Sequence, residues 1–183
     1  KALERRLELL AATDFLTGVY NLRTFHDLGR HELFRMARSG SELALVVIDL
    51  DHFKEINDRL GHAAGDDALR QFVAVVAENL RDQDIFARAG GDEFRVLLPD
   101  TSPAGAYLVA ERIRNAVNQI TICSPRGEFR LSISCGIARC DPGDESLDEA
   151  TMMADDALYQ AKGAGRNCIH PVPEQGWFPA VAA

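Results

Sequence analysis

The chain has 183 residues, 46% of them hydrophobic and 26% charged, the balance of an ordinary globular protein rather than a disordered one. That length favours one domain with extensions at its ends, large enough to fold without a disulfide or a metal. A net charge of −8 and a pI near 5.1 argue against nucleic acid as a partner. The longest aliphatic run, Leu43 to Ile48, is far too short to span a bilayer.

Residues 1–13, opening KALERRLELLAA, hold strong helix formers with Leu3, Leu7 and Leu10 on one face. They read as a helical connector from an upstream domain, and a chain starting at Lys1 reads as part of a longer protein. Asp14 to Asn21 is turn-rich, with Gly18 and Asn21 as breakers. A helix is expected from Leu22 to Arg38, its inner stripe being Phe25, Leu28, Leu33 and Met36. The run Leu43 to Leu50 reads as a buried central strand. A short helix, Phe53 to Leu60, and a turn, Gly61 to Gly65, precede a longer helix from Asp66 to Leu80.

Ile85 to Leu98 splits into two strand-like halves around Gly90-Gly91, a hairpin signal. Pro103 opens a helix through Gln119, and Phe129 to Ala138 alternates as one strand. A last helix spans Ser146 to Lys162, with Ala150, Met153, Ala154, Ala157, Leu158 and Ala161 inward, and Gly163 and Gly165 end it. From His170 on, with residues 171–183 as a separate tail, the chain looks irregular. The order implies a mixed α/β fold, partly antiparallel through the hairpin. Cys123, Cys135, Cys140 and Cys168 show no CxxC spacing, so they read as reduced thiols of a cytoplasmic domain, not a zinc site.

Asp49 and Asp51 stand where the central strand runs out, and Asp92 and Glu93 follow the hairpin glycines. Buried acids there need a counter-charge, which Mg²⁺ supplies through hard oxygen ligands. By spacing alone, solvated acids beside a plain hairpin fit equally well. Asn57 and Asp66 together can satisfy a guanine edge, an amide donating and a carboxylate accepting. Taken by itself, Asp66 fits an N-cap better, and Asn57 a polar surface residue. Lys54, Lys162 and Arg166 are candidate phosphate contacts, though each alone fits a solvated cation.

The ordered segments DFLTGVYNLRTF, VVIDLDHFKEINDRLGHAAGDDAL, ARAGGDEFRVLLP, SISCGIA and ADDALYQAKGAGRN carry more than any single motif. Together they resemble a GGDEF domain, the catalytic domain of diguanylate cyclases, over Asp14 to Asn167, and the domain is set at 14–170. The resemblance implies a central, mostly antiparallel sheet wrapped by helices, akin to nucleotidyl cyclases and polymerase palms. It implies condensation of two GTP into cyclic di-GMP with release of pyrophosphate, in bacterial second-messenger signalling. It further implies a homodimer, an upstream sensory domain and two Mg²⁺ or Mn²⁺ per active site.

Carried over, Asp49, Asp92 and the Leu50 carbonyl would hold metal, with Glu93 a neighbouring acid of the same site and Asp92 helping to deprotonate the attacking hydroxyl. Asn57 and Asp66 match the guanine-reading pair, and Asp66 speaks against a hybrid enzyme making cyclic GMP-AMP. Lys54, Lys162, Arg166 and the backbone of His52 and Phe53 match phosphate contacts. Gly90 and Gly91 would let the nucleotide approach closely. Arg81-Asp82-Gln83-Asp84 fits RxxD, the inhibitory product site, with Arg112 as a second arginine. Leu22 and Ala89 depart from the family's usual arginine and larger residue. The alternative to an active, product-inhibited cyclase is a silent module that senses GTP or cyclic di-GMP.

Overall fold

The apolar run at Leu43 is buried along its whole length, so layers must cover both of its faces. A computed structural model of the chain describes residues 12–171. The expected connector up to residue 11, and the tail from residue 172, lie outside the described residues. The elements are β1 (Tyr20–Asn21), α1 (Leu22–Ser39), β2 (Leu43–Leu50), α2 (Phe53–Leu60), α3 (His62–Glu78), β3 (Ile85–Gly90), β4 (Glu93–Pro99), α4 (Pro103–Val117), β5 (Thr121–Ser124), β6 (Gly127–Arg130), β7 (Ile133–Arg139), α5 (Asp148–Gly163) and β8 (Ile169–His170).

Six strands form one sheet in the order β1-β3-β4-β2-β7-β8. Adjacent strands among the inner four are antiparallel, and the two-residue edges β1 and β8 run parallel to their neighbours. This is the expected mixed α/β fold with a mostly antiparallel centre. Alternation along β2 sorts its side chains. Leu43, Leu45 and Val47 pack with Phe25, Leu33 and Met36 of α1 and Ala150, Ala154 and Leu158 of α5. Ala44, Val46, Ile48 and Leu50 pack with α2, α3 and α4 through Ile56, Phe72 and Ile113.

Local chemistry sets the helix ends. The Asn21 side chain accepts from the Thr24 amide to start α1, and Gly40 closes it at φ 69°. Ser102 caps α4 by accepting from the Gly105 amide, with Pro103 in the first turn. Among the described residues no helix is long and apolar enough to cross a membrane.

Several expectations change. The long helix begins at His62 rather than Asp66 and ends at Glu78, with Ala64 and Gly65 already buried in its first turn and Gly65 packed against Asn57 of α2. Asp66 is therefore inside α3 and not an N-cap. The expected strand Phe129 to Ala138 is two strands, β6 belonging to a separate hairpin with β5. Ile169–His170 is ordered as β8 against Cys135 and Gly136, so the chain is not irregular from His170. Met153 is 57% exposed and does not join the inner face of α5. All four cysteines are free.

Helix α5 approaches β7 backbone to backbone at Gly136, where an added Cβ would overlap the main chain of Ala154 and Leu158. Neither neighbour is a flexible side-chain end, so the helix must move. Gly136→Ala is expected to cost about 3 kcal/mol in urea unfolding, the upper range for overpacking. A cost near zero would show that α5 rides more loosely on the sheet.

Candidate functional site

Strand order brings the separated acids together. Asp49 of β2 is in register with Glu93 of β4 on one side and Ser134 of β7 on the other. Residues opposite one another in an antiparallel pair share a face, so Asp49 and Glu93 lie on the same side of the sheet. Between β3 and β4, Gly90 and Gly91 adopt φ 155° and 52°, and the Leu50 amide donates to the Asp92 carbonyl at 3.2 Å. The turn is thereby clipped to the end of the central strand. Phe94 anchors it from below, fully buried with its ring 4.7 Å from Phe72 and 5.6 Å from Phe86.

Asp49 is only 7% exposed. Lys162, at the end of α5, places its ammonium 2.9 Å from Asp49 Oδ2. Burial pushes the Asp49 carboxyl up to about 6, with Asp92 and Glu93 adding to the rise and Lys162 opposing it. Among the described residues no three His, Cys, Asp or Glu side chains form a metal cluster by themselves. A cation here would be held by Asp49, Asp92 and the Leu50 carbonyl, with Glu93 beside them, and its remaining ligands would come from outside the chain. Few carboxylates and open positions suit Mg²⁺, and a buried acid repelled by two others fits a cation electrostatically.

Asp51 does not join this group. It is 1% exposed and accepts from Ser134 Oγ at 2.7 Å, Ser132 Oγ at 2.9 Å and the Asn167 amide at 3.0 Å. Sequence reasoning paired it with Asp49 at the strand end and missed this role. The signal was Ser132 and Ser134 flanking one apolar residue at the start of a strand, since buried hydroxyls require partners. Arg88 was also missed. Its guanidinium donates twice to the Gly91 carbonyl, at 3.0 and 2.7 Å, and once to Asp14 at 3.0 Å. Burial raises the Asp14 carboxyl, but Thr17 and Arg88 outweigh it and hold the group below the ordinary carboxylate range.

The other expected residues fall in three places. His52, in a left-handed conformation at φ 58°, begins α2 and is followed by Phe53 and the exposed Lys54, directly after the acids of β2. Asn57 of α2 lies against Gly65, the residue before Asp66 in α3, where a Cβ would overlap its Oδ1. Arg166 is exposed on the turn after α5.

The RxxD residues stand apart. Asp84 precedes the first residue of β3 and Gly90 is its last, about 20 Å along an extended strand. Arg81 and Asp84 close a turn, the Arg81 amide donating to Asp84 Oδ2 at 2.8 Å. Asp84 Oδ1 is buried with no partner. Burial raises its carboxyl, against Arg81 and Arg112. A cavity of about 340 Å³ opens here, lined by Val19, Tyr20, Leu80, Phe86 and both motif residues. Arg112 of α4 donates to Asn79 at 2.6 and 3.1 Å.

A family model described as "Diguanylate cyclase, GGDEF domain" matches residues 11–168. The response regulator PleD of Caulobacter vibrioides is 38% identical over 169 residues, which cover 91% of this chain and 37% of PleD. The probable diguanylate cyclase DgcC of Escherichia coli is 37% identical over 164 residues, covering 90% of this chain and 44% of DgcC. The chain thus spans less than half the length of these curated relatives. The solved GGDEF domain of DgcB from Caulobacter crescentus, in complex with c-di-GMP, matches with a TM-score of 0.82 at 31% identity, over 87% of this chain and 92% of that one. Diguanylate cyclase SiaD of Pseudomonas aeruginosa, in complex with its activator SiaC, matches with a TM-score of 0.84 at 32% identity, over 92% of this chain and 64% of that one.

The raised Asp49 carboxyl has a measurable sign. The folded state holds that proton more tightly than the unfolded chain, whose carboxyl titrates near 3.8. Its stabilising effect is complete below that value and is lost as pH rises through about 6. In chelator, Asp49→Asn is expected to gain on the parent by about 1–3 kcal/mol between pH 4 and 7. Urea unfolding across that range reads the difference, and a constant offset would remove the assigned burial effect.

Proposed function

The chain belongs to the diguanylate cyclase GGDEF family, and on that premise we propose that it condenses two GTP into cyclic di-GMP and two pyrophosphates. The observation that carries the reading is Asp49: a buried carboxylate at a strand end, in register with Glu93, beside Asp92, and out of balance without a cation. The cofactor would be two Mg²⁺ or Mn²⁺ per site, which Asp49, Asp92, Glu93 and the Leu50 carbonyl would hold. When bound, the ions would supply positive charge to the triphosphate and to the attacking oxygen.

The chain's own groups do the rest. Asn57 donates to guanine acceptors while Asp66 accepts from the guanine N–H groups. Support for this pairing is the close packing of Asn57 on Gly65, the residue before Asp66, and the absence, among the described residues, of a hydrogen-bond partner for either side chain. The start of α2, at His52 and Phe53, offers amides and a helix dipole to the phosphates. Lys54, Lys162 and Arg166 add cations, and Gly90 and Gly91 leave room above the turn. The 3′ oxygen of one GTP bonds to the α-phosphorus of the other as the bond to the β-phosphate oxygen breaks. Pyrophosphate leaves with that electron pair, and the 3′-hydroxyl proton passes to Asp92. A second such step closes the ring.

One chain offers one such set of residues. Two GTP therefore call for an antiparallel homodimer, which supplies the proximity term. An upstream domain would control that pairing, a reading supported by the greater length of the curated relatives. Cyclic di-GMP would inhibit at Arg81, Asp84 and Arg112, a reading supported by the unpartnered Asp84 Oδ1 beside a cavity.

Incubation with GTP and Mg²⁺, followed by chromatography at several protein concentrations, tests the reading. Cyclic di-GMP formation should rise faster than linearly with protein. Asp92→Ala should lower it by about a hundredfold or more, the scale of losing a metal-held charge. GTP binding without product would favour the silent module. Arg81→Ala should keep turnover while added cyclic di-GMP inhibits it at least about tenfold less well, the scale of one charge-assisted contact. Equal inhibition of variant and parent would remove the proposed product site.

A further inference from the structure

The turn after α5 is held in a costly conformation. Arg166 and Asn167 both sit in the left-handed region, at φ 66° and 48°. Asparagine tolerates this and arginine does so poorly. Gly165, at φ 113°, already suffices to end the helix, so stopping α5 does not explain the next two residues. A strained pair persists only where its surroundings over-determine it.

The ties come from several directions. The Arg166 amide donates to the Ala161 carbonyl at 3.1 Å. Arg114 donates to the Asn167 side chain at 3.2 Å. The Asn167 amide donates to Asp51 Oδ2 at 3.0 Å. Three donors from the chain itself occupy Asp51, Ser134 at Oδ1 and Ser132 with the Asn167 amide at Oδ2. The segment bearing Arg166 is thus fixed on both sides by one strand end. Lys162 is held at Asp49, the last acid of β2, and Asn167 at Asp51, two residues on.

We infer that Asp51 is a positioning residue for Arg166: by holding the Asn167 amide it fixes the left-handed turn that presents the Arg166 guanidinium to the triphosphate beside Lys162. This rests on the reading of the site as a GTP site. Asp51 itself touches neither nucleotide nor cation. Its accepting oxygen serves the turn, whereas the charge of Asp49 serves the metal.

The test compares Asp51→Ala, Asp51→Asn, Arg166→Ala and the double variant Asp51→Ala/Arg166→Ala in the 183-residue chain. Affinity for a slowly reacting α-thio analogue of GTP is measured by calorimetry with Mg²⁺, and amide exchange at Asn167 by deuterium labelling. Asp51→Ala should weaken binding about tenfold, as should Arg166→Ala, the scale of one charge-assisted contact. The double variant should bind no worse than either, the signature of residues acting as one unit. Asn167 exchange should quicken in Asp51→Ala. Asp51→Asn keeps an acceptor for that amide, so it should restore both exchange and affinity. The inference is overturned if Asp51→Ala exchanges faster at Asn167 yet binds like the parent, or if the two losses multiply. A parent that binds the analogue but never turns GTP over would overturn the cyclase reading alone, since this comparison reads binding and exchange.

Discussion

A carboxylate at the end of a strand buried on both faces cannot stay charged without an answering charge, and Asp49 is that group. Alternation along β2 commits its last acid to the face shared with α5. The register with β4 commits Glu93 to the same face. Packing that stabilises the centre of the sheet therefore also concentrates negative charge at one end of it. Lys162 answers part of that charge, while burial, with Asp92 and Glu93 adding to it, holds the Asp49 carboxyl above its ordinary range. That concentration of negative charge is built into the strand order, before any ligand is considered.

The same strand end organises what lies across it. α5 reaches the site only because Gly136 lets it lie on β7 backbone to backbone, which carries Lys162 to Asp49. Asp51 then takes the following turn through a neutral amide, supported by two serine hydroxyls. Asp51 is satisfied by three donors of the chain itself, whereas Asp49 has one ammonium beside it and two other acids near it. Two acids two residues apart thus have different chemistry, set by what the neighbouring strand and turn offer them.

Legibility in the sequence followed the range of the interaction. The continuous apolar run of β2, the glycine pair of the hairpin and the periodic stripe of α1 are local signals, and each appears where expected. The edges β1 and β8 are two residues long, below any periodicity window, and form only because a neighbouring strand is there to pair with. The β5–β6 hairpin was hidden because Phe129 to Ala138 alternates through a change of sheet. Met153 shows the limit of the helical stripe: its spacing is right, but the side chain is exposed while Ala150, Ala154, Ala157, Leu158 and Ala161 are the buried residues of α5. The acids of the site were legible as positions. The partners of Asp51 were not, because they lie 81 to 116 residues away in the chain.

Arg88 shows how closely the signature hairpin depends on the start of the domain. Its side chain is 12% exposed and spends three donors on two acceptors, the Gly91 carbonyl and the Asp14 carboxylate. Lysine could reach one of these but lacks the planar fork that serves both. Asp14 in turn organises its own turn by accepting from the Thr17 amide at 2.9 Å and the Thr17 hydroxyl at 2.6 Å. That turn continues into Gly18, Val19 and Tyr20, which line the cavity beside Asp84. One short segment thus borders the RxxD cavity, receives the chain from its N-terminal side, and holds the arginine that fixes Gly91. The acids gain a defined geometry from the sheet beneath them and from this lateral tie, because a hairpin of two glycines would otherwise be the least constrained part of the site.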